Sequence, residues 1–190
     1  MSFVNAHFVT YVQDLGYGEM IAAGAFSIIG ASAIGGALLL GHLSDNYGRR
    51  RFLSISYQMR CLGFVFVLLS MGIPFLGIPS LGITALLVGI LFVGFSWNSV
   101  VSITAAYASD AFGIARLGTI YGAMFAVMPI GSGFGAFLGG LLYDSRGTYD
   151  IGIWTNIVLL LVTTWAILSI DERKQTGRWV AAVQLSLIHI

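Results

Sequence analysis

Uncharged apolar runs extend from Met20 to Leu43, Leu81 to Ser109, Leu117 to Tyr143 and Ile151 to Ile170, each near or above the ~20 residues a helix needs to cross a bilayer. A fifth run, Phe52 to Ile73, contains one charge, Arg60. The opening stretch, Met1 to Gln13, is also apolar and stops at Asp14. As helix it would rise only about 20 Å, short of the ~30 Å hydrocarbon core. It reads as the tail of a helix whose beginning is missing. The pattern predicts an all-α, polytopic membrane helix bundle: six segments (1-13, 20-43, 52-73, 81-109, 117-143 and 151-170) in a transmembrane unit over 1-170. A cytoplasmic tail, 171-190, would follow.

The connections carry turn chemistry: Asp14 to Gly18, Asp45 to Arg51, Pro74 to Gly82, Asp110 to Arg116 and Asp144 to Gly147. None is long enough to hold a soluble domain. Composition agrees, with 57% hydrophobic and only 9% charged residues, where a soluble domain carries about a quarter charged. The net charge of +1 lacks the basic footprint of a phosphate binder, so no nucleic-acid partner is expected. Cys61 is the single cysteine, which precludes an intrachain disulfide, and the chain has no metal-ligand spacing or cofactor fingerprint.

Charge placement predicts orientation. If every segment spans, Arg49, Arg50, Arg51, Arg116, Arg173, Lys174 and Arg178 fall on one side and only Arg146 on the other. The positive-inside rule puts the Arg49 to Arg51 loop and the C-terminus in the cytoplasm of a plasma (inner) membrane.

Two distant stretches match. Gly41-His-Leu43-Ser-Asp45-Asn-Tyr-Gly48 aligns with Gly140-Leu-Leu142-Tyr-Asp144-Ser-Arg-Gly147 at an offset of 99 (140 minus 41), and Gly36, Ala37 and Leu39 align upstream with Gly135, Ala136 and Leu138. The matching helices lie three spans apart, so the copies would end on opposite faces of the bilayer. That is a 3+3 inverted repeat, the construction by which many secondary transporters form a midplane site and rock around it. The alternative is that G-x-L-x-D-x-x-G is a serviceable helix exit in any membrane protein.

The residues Gly41, Leu43, Asp45, Gly48, Arg49 and Arg50, in GHLSDNYGRRR, resemble the signature loop of the major facilitator superfamily. Gly41 suits close helix approach, Gly48 a turn at positive φ, and Asp45 the exposed N–H groups of a helix start. The resemblance implies that Asp45 and Arg49 form a conformational latch; the structural alternative is that both cap helices and set topology. A second stretch, Tyr107-Ala-Ser-Asp110-Ala-Phe112-Gly113 through Tyr121-Gly122 and the Gly140, Asp144, Gly147 exit, is similar to oxalate/formate-antiporter and monocarboxylate-porter relatives, as is His7 to Tyr17. It implies the C-terminal six-helix half of a twelve-helix antiporter or symporter for a small organic acid, partnered by a missing N-terminal half. A coupling proton or counter-anion would accompany the solute. One departure stands out: Met20 to Leu43 and Leu117 to Tyr143 contain no Lys or Arg, so an organic anion needs another group to meet its charge.

Candidate pathway residues are His7 and Tyr11 on the first segment, and Trp97, Asn98 and Ser102 on the fourth, each polar pair spaced by four and so sharing a helix face. Such side chains also serve as plain interhelical hydrogen-bond partners. Arg60 is expected to snorkel or to form a bundle-facing salt bridge, and Pro129 to kink its helix. No catalytic motif falls in the spans, which disfavours an intramembrane enzyme. A self-contained six-helix homodimer is the other alternative. At the end, Leu185 to Ile190 resemble the reading-frame translation of a transposon end used in sequencing-library preparation; an amphipathic tail is the other reading.

Overall fold

The apolar runs fold as helices, because backbone polar groups in lipid must be satisfied within the segment. The structure, a computed structural model, describes residues 2–73, 77–147 and 149–170. In chain order the helices are α1 (Ser2–Asp14), α2 (Glu19–Tyr47), α3 (Arg49–Met71), α4 (Gly82–Phe95), α5 (Trp97–Phe112), α6 (Leu117–Arg146) and α7 (Asp150–Ser169), with one 3₁₀ turn at Ile114–Arg116. The expected tail and its last six residues lie outside the described residues. Among the described residues the extended pairing is a single bridge between Ile73 and Ile78 in the α3–α4 connection.

Among the described residues five stretches are long and apolar enough to cross a membrane: Glu19–Tyr47, Arg49–Met71, Gly82–Phe112, Leu117–Ser145 and Asp150–Ser169. The third contains α4 and α5, which the run from Leu81 to Ser109 presented as one unbroken segment. Ser96 interrupts it with φ −83° and ψ −8°, still in the right-handed region, so the two helices continue one another across a one-residue fault. At Pro129 the helix does not break: α6 carries the proline inside an assigned helix of 30 residues.

The bundle closes where side chains are smallest. A Cβ placed on Gly63 of α3 would sit 2.8 Å from the Gly89 carbonyl of α4, and one on Gly89 would sit 2.8 Å from the Gly63 carbonyl. These reciprocal glycines bring two backbones together, which is how helices gain packing energy in lipid. Around that crossing lies a core from α1, α2, α3, α4 and α7, including Phe8, Tyr11, Ile29, Phe64, Ile90 and Ile153. By contrast, α6 is almost wholly exposed, with Ile130, Phe134 and Phe137 each open by about two thirds.

Two sets of contacts define the two ends. Arg49, opening α3, binds Asp45 near the end of α2 and Asp110 near the end of α5, while Arg50 donates to the Ile170 carbonyl after α7. At the opposite end, Tyr143 near the end of α6 donates to Asp14 at the end of α1, and Tyr17 lies beside Gly82 at the start of α4. With α4 and α5 taken as one span, the helices therefore alternate in direction along the chain, and Arg49 and Asp144 sit at opposite ends of the bundle.

Candidate functional site

The two matched stretches end their helices in the same way. The Gly48 N–H donates to the Ser44 carbonyl at 3.1 Å, and the Gly147 N–H donates to the Tyr143 carbonyl at 2.7 Å; the pairs are related by the same offset of 99. Both glycines have positive φ, 103° and 69°, a conformation costly for any residue with a Cβ. Gly48 thereby reverses the chain between α2 and α3 with no intervening loop.

That tight reversal positions Arg49. Its Nη1 donates to Asp45 Oδ1 at 2.5 Å and its Nε to Asp110 Oδ2. Asp45 was expected to serve a helix start, but it lies within the last turn of α2, and the N-cap position of α3 is Gly48, which has no side chain to cap with. Its carboxylate engages the arginine side chain instead. Both carboxylates are more than half exposed, whereas Arg49 is only 22% exposed. Exposed pairs of this kind contribute about 0–1 kcal/mol each. They hold a geometry without locking it, which suits a contact that forms and breaks. Leu43 is half-buried.

Gly41 departs from expectation: a Cβ there would meet nothing within 4 Å. The close approach of α2 falls five residues earlier, at Gly36, where a Cβ would lie 1.7 Å from the Phe95 carbonyl. Five residues of helix turn the position through about 500°, or 140° net, so the two glycines occupy different faces. Gly140, the counterpart of Gly41, is equally uncovered.

At the Asp144 end, aromatic packing replaces the charge cluster. Tyr143 donates to Asp14 Oδ2 at 3.0 Å and stacks on Tyr149 at 4.3 Å between ring centroids, and Tyr11 meets Tyr149 edge-on at 6.2 Å. Burial, with the neighbouring Tyr143 phenol and the Asp14 and Asp144 carboxylates, pushes the Tyr149 phenol above its ordinary value of 10.0. Asp144 itself is exposed.

Deeper in the bundle the candidate pathway residues separate. Tyr11 is 1% exposed and donates to the Val67 carbonyl at 2.8 Å, with Ser70 Oγ at 3.3 Å. It is a core residue tying α1 to α3. His7 Nε2 lies 3.2 Å from the Ala136 carbonyl, and its ring rests on Gly139, so it docks α6 onto α1. Ser102 turns back on its own helix, with Oγ 3.2 Å from the carbonyls of both Asn98 and Ser99.

Trp97 and Asn98 do line a cavity. With Phe26, Ile29, Gly30 and Ala33 of α2 they line a half-open pocket of about 190 Å³ at the start of α5. Its walls are mostly apolar, and Phe26, Gly30 and Asn98 are exposed. Beside Trp97 lies Arg60, which neither snorkels nor pairs with a carboxylate among the described residues. The side chain is 5% exposed and reaches the helix fault, with Nε 3.2 Å from Ser96 Oγ and Nη2 at 2.7 Å from the Ser96 carbonyl and 3.4 Å from that of Trp97. The rings of Tyr57 and Trp97 lie 5.8 and 6.0 Å from its guanidinium carbon. Sequence reasoning missed two partners. Asp110 as a ligand of Arg49 had one signal, a carboxylate on the same predicted side of the membrane; Ser96 as the acceptor for Arg60 had none. The described residues contain no group of His, Cys, Asp and Glu able to hold a metal ion.

A bundle built from five apolar helical stretches, each long enough to cross a bilayer, with matched glycine-and-aspartate exits at both ends, is an integral membrane protein. The sequence profile of the Major Facilitator Superfamily matches residues 1–184, and the chain belongs to that family. It is 32% identical over 165 residues to YcxA of Bacillus subtilis (strain 168), described as an uncharacterized MFS-type transporter; the match covers 84% of this chain and 38% of the relative. The chain thus spans well under half the length of that relative. No solved structure matches it.

Proposed function

We propose that the chain is the C-terminal half of a secondary carrier that moves a small organic acid, a monocarboxylate or dicarboxylate, by alternating access. The observation that carries this reading is the pair of uncovered helices α2 and α6. They end alike at opposite ends of the bundle, and positions such as Gly41 on α2 and Gly131 and Gly140 on α6 have nothing within 4 Å of where a Cβ would be. A second six-helix unit laid on that face would cover them and enclose the Trp97–Asn98 pocket between the halves, as rocking around a midplane site requires. In this scheme the Asp45, Arg49 and Asp110 cluster lies at the cytoplasmic end. It holds one access state and opens in the other. His7, within hydrogen-bond reach of the Ala136 carbonyl, docks α6 onto α1 and is the histidine placed to carry a coupling proton.

The test is counterflow in proteoliposomes containing the full-length protein, loaded with formate, lactate or oxalate and supplied with the labelled acid outside. Accumulation of label that is abolished by an excess of unlabelled acid is expected. No exchange of any of the three overturns the substrate class, and a gene with no six further spans upstream overturns the half-carrier reading.

A further inference from the structure

The helices that face the uncovered side of the bundle, α2 and α6, contain no lysine or arginine between Met20 and Leu43 or between Leu117 and Tyr143. The Trp97–Asn98 pocket, lined by α2 and the start of α5, has no cation among its lining residues. Arg60 reaches it through Trp97. Its charge is fixed, because a guanidinium does not deprotonate in proteins, and no carboxylate of the described residues pairs with it. Carbonyl oxygens of Ser96 and Trp97 and two aromatic faces hold it in place, and these dipoles leave the net charge intact. Trp97 is the shared wall: one residue both lines the pocket and contacts the guanidinium. Along the two helices that form the pocket, the nearest acids are Glu19 and Asp110, both exposed, roughly 10 Å from Phe26 and 18 Å from Asn98 at 1.5 Å per residue.

We propose that Arg60 gives the Trp97–Asn98 pocket a positive potential, so that it takes a small anion with an apolar body, a carboxylate, in preference to a neutral or cationic solute. The proposal rests on the functional reading above for the pocket being a solute site. Trp97 and Phe26 supply apolar surface, the Asn98 amide supplies a hydrogen-bond donor, and Arg60 supplies charge through the tryptophan wall. With the guanidinium carbon 6.0 Å from the Trp97 ring centre and a solute in van der Waals contact with that ring, the two charges stand no more than roughly 10 Å apart. At an effective dielectric near 20 their attraction favours an anion over a neutral isostere by about tenfold. The volume of about 190 Å³ admits a solute of a few heavy atoms.

The potential at Trp97 is measurable without knowing the solute. In the full-length protein carrying Trp97 as its only tryptophan, in nanodiscs of zwitterionic lipid, fluorescence is quenched at constant ionic strength with iodide, caesium or acrylamide. Each constant is normalised to free N-acetyltryptophanamide. Iodide, attracted where caesium is repelled, should quench at least about tenfold more effectively than caesium. Arg60→Gln should lower that ratio at least about threefold with acrylamide quenching unchanged, and Arg60→Lys, which keeps the charge, should preserve it. Equal normalised quenching by iodide and caesium in the parent protein overturns the proposal, as does an unchanged ratio in Arg60→Gln. Should Arg60→Gln not fold, shown by acrylamide quenching rising to the free value, Arg60→Met replaces it. If neither neutral variant folds, the ratio in the parent protein decides alone. Because transport is not read, a protein that exchanges no carboxylate yet shows the Arg60-dependent anion preference loses only the function proposed above.

Discussion

Arg49 and Asp110, 61 positions apart, are joined by a hydrogen-bonded ion pair that fastens the first turn of α3 to the last turn of α5, with Asp45 on the other arm of the same guanidinium. One arginine thus gathers three helix ends through contacts that are individually weak because the carboxylates are exposed. Weak, geometrically specific contacts are what a reversible latch requires.

Removing one carboxylate at a time therefore separates latch from scaffold. Asp45→Asn and Asp110→Asn in the full-length protein should each slow counterflow severalfold, while the unfolding midpoint in detergent moves by the equivalent of no more than about 1 kcal/mol. Unchanged exchange kinetics in both variants would remove the latch and leave a helix-end fastening.

The direction of the helices makes a topological prediction. A cysteine at Arg51 should react with an impermeant maleimide only from the cytoplasmic side, and one at Ser145 only from the opposite side, in a background where the buried Cys61 is replaced. Labelling of both from one side would contradict the inverted repeat.

Packing at the faulted span predicts a sharp contrast between glycines of one helix. Gly36→Ala would place a methyl 1.7 Å from the Phe95 carbonyl, a backbone atom that cannot step aside without moving α5's neighbour α4. Overpacking of that kind costs about 1–3 kcal/mol or more, so the unfolding midpoint should fall clearly. Gly24→Ala, which meets nothing within 4 Å, should leave it unchanged. Equal midpoints for the two variants would mean that α2 and α4 do not approach as described.

Tyr149 predicts an alkaline limit on stability. Its phenol titrates above 10.0 in the folded protein, chiefly because it is buried, and near 10 in the unfolded chain. Between those values the folded state binds the extra proton, so its contribution to stability is whole below about pH 10 and is lost as pH rises through the folded value. Unfolding midpoints taken from pH 8 to 11.5 should fall more steeply in the parent protein than in Tyr149→Phe. Identical slopes would place the alkaline sensitivity elsewhere.

Much of this architecture was legible from residue order. Lipid-length apolar runs fix which segments are helical, because hydrocarbon leaves the backbone no other way to satisfy its hydrogen bonds. The offset of 99 between Gly48 and Gly147 announced two equivalent helix exits, since positive φ selects glycine at a turn. What misled was local context read without neighbours. Asp45 followed a helix and preceded another, so it resembled a cap, but the chain reversed on Gly48 alone and left the carboxylate facing an arginine. Tyr11 and His7 share a helix face, but its two positions meet different helices: the Tyr11 hydroxyl reaches Val67 and Ser70 of α3, and His7 reaches Ala136 of α6.

The sequence by itself determined the solvent, the number of apolar segments, the family and the two matched ends, because these follow from periodicity, charge count and fixed spacing. Tertiary structure alone decided which charges meet. Asp110 reaches Arg49 and Ser96 receives Arg60 across 61 and 36 positions, separations over which only the packing of whole helices brings side chains within hydrogen-bond reach.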